Sequence, residues 1–170
     1  MSTAAIVVRP ASMGDTAAIH ECVSAVIREE RYLAFTRPFS FVETAFYLAR
    51  VLDAKQPYFV AAGAGRVVGW CDVTPARGDV HAHIGVLGMG VASDWRGQGI
   101  GARLIEAALE ASSELFEQVE LHVFASNERA RALYRKAGFV EQGCRRGGRK
   151  HAGLYDDDII MTHYFVEPTP

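Results

Sequence analysis

Residues 89–102 read Met89-Gly90-Val91-Ala92-Ser93-Asp94-Trp95-Arg96-Gly97-Gln98-Gly99-Ile100-Gly101-Ala102, an apolar run passing through a glycine-rich turn into a helical pattern that opens at about Gln98. Glycines remove the side chains that would keep a ligand from backbone N–H groups, and a helix N-terminus adds the positive end of its dipole. The stretch reads as an anion cradle suited to a pyrophosphate. Two rival readings stand beside it. Gly97, Gly99 and Ala102 satisfy the Gly-x-Gly-x-x-Ala fingerprint of dinucleotide-binding turns, and a glycine turn is also compatible with a purely structural role. The dinucleotide motif wants its turn directly after a strand and early in a βαβ unit, whereas here Ala92 to Trp95 intervene and half the chain precedes.

The rest of the chain bounds what surrounds the cradle. At 170 residues it has the length of one domain, spanning residues 1–170, with enough chain to bury roughly 70% of its unfolded surface without disulfide or metal staples. Hydrophobic and charged fractions of 49% and 22% are those of a globular protein, and a net charge of −2 gives no broad basic field, which excludes nucleic acid as a main ligand. The local basic run Arg145, Arg146, Arg149 and Lys150 suits a small anion or a solvated face. Cys22, Cys71 and Cys144 show no metal-ligand spacing, and their odd number suggests a reducing, cytoplasmic setting. No stretch approaches the ~20 apolar residues of a membrane span.

Hydrophobic periodicity predicts a strand over Ala5–Arg9, a helix from Asp15 to about Glu29, an irregular aromatic segment over Arg31–Phe41 and a second helix over Phe41–Leu52. Tyr58–Ala62 and Arg66–Val73 read as a hairpin split by Gly63-Ala64-Gly65. Val80–Val91 reads as a strand in which Gly85, Gly88 and Gly90 point to a bulge or a close approach. A helix to about Ser113, a strand over Val119–Phe124, a helix over Glu128–Ala137 closed by Gly138, and strands over Phe139–Gly143 and Tyr155–Phe165 joined by a basic loop complete the order. The class is α/β with a mixed sheet.

A second constellation decides between the readings of the first. Asn127, Ala130, Leu133, Tyr134 and Ala137 share one helical face, followed by Gly138-Phe139, one strand after the glycine turn. Arg96-x-x-Gly99-x-Gly101 and this helix, in this order and separation, resemble the GNAT superfamily of N-acetyltransferases over at least Val80–Met161. The pattern Gly153-x-Tyr155-x-Asp157-x-x-x-Met161 is similar to the branch that acetylates amino acids and other small amines.

The resemblance implies an α/β (α+β) fold with a splayed central sheet of about seven strands and about four helices, a cofactor-binding core at about 80–139 and acceptor-side elements at about 28–42 and 143–157. It implies acetyl-CoA as cofactor and no metal. Backbone groups around Met89 and Val91 would pair with the pantetheine arm, an N–H of Met89 or Gly90 would stabilise the oxyanion, and Arg96, Gly97, Gln98, Gly99, Gly101, Ala102, Asn127 and Ala130 would complete the cofactor site, with Arg96 and Arg103 adding charge near the phosphates. Tyr134 corresponds to the general acid, a phenol that is protonated at neutral pH. Family members often carry a carboxylate near the position of Val86, which accepts no proton, so the base is reassigned to His83, which shares a predicted strand face with His81. A neutral α-amine deprotonated through water is the other route. Arg31, Tyr32, Phe35, Val86 and Tyr155 are candidate acceptor contacts, with Arg149 or His151 as further partners for a carboxylate. The expected partner is a small-molecule amine, with no membrane partner and a homodimer in reach of two-fold symmetry. A protein N-terminal or lysine acetyltransferase and a non-catalytic acyl-CoA-binding module are the alternatives; the latter has no use for Tyr134.

Overall fold

The computed structural model describes residues 5–63 and 65–169. One sheet of seven strands runs in the order β1 (Val7–Pro10), β2 (Tyr58–Gly63), β3 (Arg66–Pro75), β4 (Ile84–Val91), β5 (Gln118–Phe124), β7 (Leu154–Tyr164) and β6 (Val140–His151). Neighbours are antiparallel except β4 and β5. Helices α1 (Thr16–Ile27) and α2 (Phe41–Asp53) cover one face, where Ile19, Cys22, Val26, Leu48 and Val51 pack on Val60 and Trp70. Helices α3 (Ile100–Ser112) and α4 (Glu128–Lys136) cover the other, where Leu104, Ile105, Ala108 and Tyr134 meet Cys71, Val73, Val119 and Leu121. The expected mixed sheet with four helices is what the chain forms, and none of these helices is long and apolar enough to cross a membrane.

Local chemistry accounts for the element ends. Ser40 caps α2 through a reciprocal box, with Glu43 N–H donating to Ser40 Oγ and Ser40 N–H donating to the Glu43 carboxylate. Gly138, at φ +88°, stops α4 in the left-handed region. Ala152 and Gly153, at φ +48° and +81°, make the two-residue hairpin turn between β6 and β7. That tight turn corrects the expected basic loop: Arg145, Arg146, Arg149 and Lys150 lie on strand β6, at the sheet edge. Ala64, in the expected turn between β2 and β3, lies outside the described residues.

Strand β4 departs from expectation twice. It begins at Ile84, because Gly78 at φ +95° leads into a 3₁₀ turn over Asp79–His81; His81 and His83 therefore do not share a strand face. Its pairing with β3 is unbroken from Pro75↔Gly85 to Gly69↔Val91, so its glycines do not mark a bulge. Close approach explains Gly90 instead, since a Cβ there would stand 2.4 Å from the Trp70 ring.

Asp72 on β3 sits opposite Gly88, its Oδ1 3.4 Å from where a Cβ of residue 88 would be. Tyr47 on α2 donates a hydrogen bond to its Oδ2 at 2.5 Å. Burial nevertheless dominates and pushes the carboxyl from an ordinary 3.8 up to about 6, with the Tyr47 bond opposing the shift. The native state thus binds a proton more tightly than the unfolded chain. Its stabilisation is complete below pH 3.8 and is lost as pH rises through about 6, by about 3 kcal/mol. Asp72→Asn keeps an acceptor for Tyr47 and removes the titration. The melting temperature of Asp72→Asn minus that of the wild type should widen between pH 5 and 7; a gap constant with pH would refute the shift.

Candidate active site

Parallel pairing of β4 and β5 is confined to Ile84↔Gln118, Gly85↔Val119 and Val86↔Glu120, after which the strands part. A cleft of about 980 Å³ opens at the parting. Ile84 and Ala92 turn their backbone toward β3, as the bonds Ala76 N–H to Ile84 O and Ala92 N–H to Val68 O record, while His83 O accepts from Glu117 N–H ahead of β5. By strand alternation, Leu87, Met89 and Val91 present their backbone groups to the parting, where no neighbouring strand meets them. Gly90 directs its N–H to β3 instead. Of the two candidate oxyanion donors, Met89 keeps the geometry for the role and Gly90 does not.

One end of the cleft holds the glycine turn. Ser93–Trp95 form a 3₁₀ turn, Gly97 and Gly99 adopt φ +79° and +76°, and α3 begins at Ile100 rather than Gln98. Arg103 N–H donates to Gly99 O at 3.2 Å, so the N–H groups of Ile100, Gly101 and Ala102 precede the first turn's bonds and are open to an anion. Gly101 also lets α4 approach, since a Cβ would stand 3.0 Å from Leu133.

The cations around the turn are distributed differently from the sequence expectation. Arg96 lines the cleft, yet its guanidinium donates to both carboxylate oxygens of Glu29 at 2.6 and 2.8 Å and to Val91 O at 2.8 Å, and it lies 4.9 Å over the Tyr32 ring. Its charge is directed at the end of α1. Arg103 donates to Ile6 O, and Gln98, whose amide donates to Asp94 O, is not among the lining residues. Arg129 takes the place beside the turn, with Nη2 3.3 Å from the Cβ position of Gly97. It follows the α4 cap Asn127, whose Oδ1 accepts from Ala130 N–H at 3.2 Å. Asn127, Ala130, Leu133 and Tyr134 all line the cleft, and burial pushes the Tyr134 phenol well above its ordinary range, which holds it protonated.

The other end lies on the α1/α2 face. Val86, Gly88, His122, Phe124 and Asp158 share that face by strand alternation and line the cleft, with Tyr32, Leu33 and Phe35 from the irregular segment and Arg145, Arg149 and Lys150 from β6. The hairpin and the irregular segment join across it: Arg149 donates to Glu30 O at 2.6 Å and packs over Phe124, and His151 Nε2 lies 3.1 Å from Glu30 Oε2. His83, Arg31 and Tyr155 fall outside the lining. His83 precedes β4 on the exposed turn side, Arg31 is exposed, and Tyr155 is 66% exposed beside Lys150 near the hairpin tip.

A side-chain cluster stands where sequence reading placed none. His122 on β5 has Nδ1 3.0 Å from Asp158 Oδ2 on β7 and Nε2 3.1 Å from Glu120 Oε1 on its own strand. The alternation Val119-Glu120-Leu121-His122-Val123 was the available signal, since it sets Glu120 and His122 on one face against a buried apolar face.

Comparison with known proteins agrees with this architecture. The model of the Acetyltransferase (GNAT) family matches residues 24–139. L-amino acid N-acetyltransferase AaaT of Escherichia coli (strain K12) is 30% identical over 109 residues, which cover 63% of this chain and 65% of that protein. The crystal structure of ribosomal-protein-alanine N-acetyltransferase from Brucella melitensis superposes with a TM-score of 0.86 at 25% identity, covering 93% of this chain and 99% of that one. A phosphinothricin acetyltransferase from Sinorhizobium meliloti, solved with acetyl-CoA, gives 0.89 at 23% identity, covering 96% and 90%. Spanning most of the sheet, both sides of the parting and the glycine turn, the family match carries the conclusion that this chain belongs to the Acetyltransferase (GNAT) family.

Proposed function

We propose that the protein is an acetyl-CoA-dependent N-acetyltransferase that moves the acetyl group directly to the primary amine of a small, amino-acid-like molecule. The observation that carries this reading is a cleft that passes through the sheet, with anion-binding backbone at one end and proton-handling side chains on both sides of the parting. The residues fit the donor. The N–H groups of Ile100 to Ala102 and Arg129 would hold the pyrophosphate, the backbone groups of Leu87 and Met89 and the Val91 N–H, which face the parting, would take the pantetheine arm as a strand, and Tyr134 would protonate the departing thiolate. No cysteine is offered as a covalent carrier: Cys22 and Cys71 are buried, and burial raises both thiols, while Cys144 is exposed on β6 and outside the cleft lining.

The acceptor class rests on enclosure and charge. Arg149 and His151 reach Glu30 across the acceptor end, which favours a small molecule over an extended polypeptide. Arg145, Arg149 and Lys150 supply cations for a carboxylate, and Tyr32, Leu33 and Phe35 an apolar wall. The Escherichia coli relative is named for L-amino acids and the Brucella melitensis one for ribosomal-protein alanine; the enclosed end favours the former.

Thiol release from acetyl-CoA, screened against L-amino acids, polyamines, aminoglycosides and peptides, should be fastest with amino acids; a preference for peptides would move the reading to a protein acetyltransferase. Tyr134→Phe should lower turnover by on the order of 100-fold, with the acetyl-CoA Kd from calorimetry nearly unchanged. Unchanged turnover would remove Tyr134 from the acid role. Arg129→Ala should weaken acetyl-CoA binding by about tenfold and flatten its salt dependence, whereas equal affinity at low salt would mean that the backbone cradle alone holds the pyrophosphate.

A further inference from the structure

We propose that Glu120, His122 and Asp158 form a proton relay that acts as the general base of acetyl transfer. The inference rests on the acetyltransferase reading above and assigns the group that reading leaves open. Val86 accepts no proton, but its cross-strand partner is Glu120. Extending the register by two residues sets His122 opposite Gly88, two positions beyond the last pair and the first on this face where β4 and β5 no longer pair. A side chain at the parting on this face meets the acceptor as it approaches from the α1/α2 side, while Tyr134 stands across the sheet among the α3/α4 side chains. Acid and base thus flank the parting from opposite faces, as direct transfer through it requires.

The three groups are ordered by exposure. The Asp158 side chain is 10% exposed, that of Glu120 30% and that of His122 37%. The buried carboxylate accepts from Nδ1–H at 3.0 Å and fixes the ring, which leaves Nε2, 3.1 Å from Glu120 Oε1, to exchange a proton at the open side. The charged groups around the imidazole are Glu120 on its own strand, Asp158 on β7, Arg145 on β6 with Nη1 3.7 Å from Asp158 Oδ2, and Arg149 over the neighbouring Phe124 ring. On the β4 side stand Val86 and Gly88, neither titratable, with Asp72 of β3 beyond. His122 and Asp158 line the cleft, and Glu120, outside the lining, reaches it only through Nε2. Asp72 is the other acid in this region, but it is buried beneath Gly88 with Tyr47 and neither lines the cleft nor bonds to the imidazole.

The step balances in protons and electrons. One N–H bond of the acceptor ammonium breaks and its proton passes to the Glu120–His122 pair, coming to rest between Oε1 and Nε2 and leaving later to solvent. The freed lone pair forms the bond to the acetyl carbonyl carbon, and the C–S bond breaks with its electron pair going to sulfur. The sulfur takes a proton from the Tyr134 hydroxyl, which is restored by the second proton shed by the nitrogen. The products are an amide, a thiol and one solvent proton. Asp158 is a positioning residue in this scheme, because it acts through the imidazole.

The test measures kcat/KM against pH with the L-amino acid turned over fastest by the wild type, the acetyl-CoA Kd by calorimetry, and the His122 ring nitrogens by ¹⁵N NMR in the free protein. His122→Gln and Glu120→Gln should each lower kcat/KM at pH 7, the former by on the order of 100-fold, with the acetyl-CoA Kd within about twofold of wild type. Added imidazole should restore part of the rate to His122→Ala. In the wild type the neutral ring should carry its proton on Nδ1, and Asp158→Asn should abolish that preference and alter the pH profile. Wild-type rates and pH profiles in His122→Gln and Glu120→Gln would overturn the relay, as would the same ring-nitrogen tautomer in wild type and Asp158→Asn. If the wild type binds acetyl-CoA but releases no thiol with any L-amino acid, the acceptor class fails instead, and the ring-nitrogen spectra alone decide the relay.

Discussion

Three residue pairs between β4 and β5, ending at Val86 and Glu120, are the constraint on which the rest of the molecule depends. A parallel pair that continued would satisfy the backbone of Leu87 to Val91 and close the sheet. Parting instead leaves a length of strand edge inside the protein with no partner of its own. Such groups are tolerable only where something else satisfies them, and water or a ligand arm that pairs like a strand can do so. The parting therefore converts an ordinary sheet into a passage, with the glycine turn, Tyr134 and the histidine cluster arranged along it.

The passage is held at its two ends by different means. At the glycine turn, Arg96 joins the turn to the end of α1 through a bidentate pair with Glu29, the side chains being 19% and 26% exposed. Partial burial and fork geometry make this pair stronger than a surface salt bridge. At the other end, Arg149 and His151 fasten the β6–β7 hairpin to Glu30, the neighbour of Glu29 in sequence. Glu30 has φ +51°, so the chain reverses locally in the left-handed region where these two attachments meet. Residues 29 and 30 tie the glycine turn and the edge hairpin to the end of α1.

Much of this was legible in the sequence and some was not, for reasons that can be named. The glycine turn, the face shared by Asn127, Ala130, Leu133 and Tyr134, and the stop at Gly138 are local signals, and their elements formed within a few residues of expectation. His83 was misplaced because Gly78 breaks the strand pattern before Ile84, and an apolar run does not show where pairing begins. Arg96 was read as a phosphate ligand because its partner Glu29 lies 67 residues away, a separation that no periodicity reports. His122 escaped notice because alternation gives the face of a strand but not the neighbour beyond it. Only the sheet order, with β7 inserted next to β5, brings Asp158 to the imidazole.

Strand β6 has a meaning apart from ligands. It is the outermost strand of the sheet, twelve residues long and exposed along nearly its whole length, and such an edge is a template on which another chain can add a strand and begin to aggregate. Arg145, Arg146, Arg149 and Lys150 put like charge on that edge, and the register shift between Arg145 and Arg149 breaks its ladder, with Gly147 N–H turned to Asp157. Charge repels an approaching copy and the irregularity spoils the fit of its hydrogen bonds. The basic run that first suggests an anion site also works against edge-to-edge pairing with another strand.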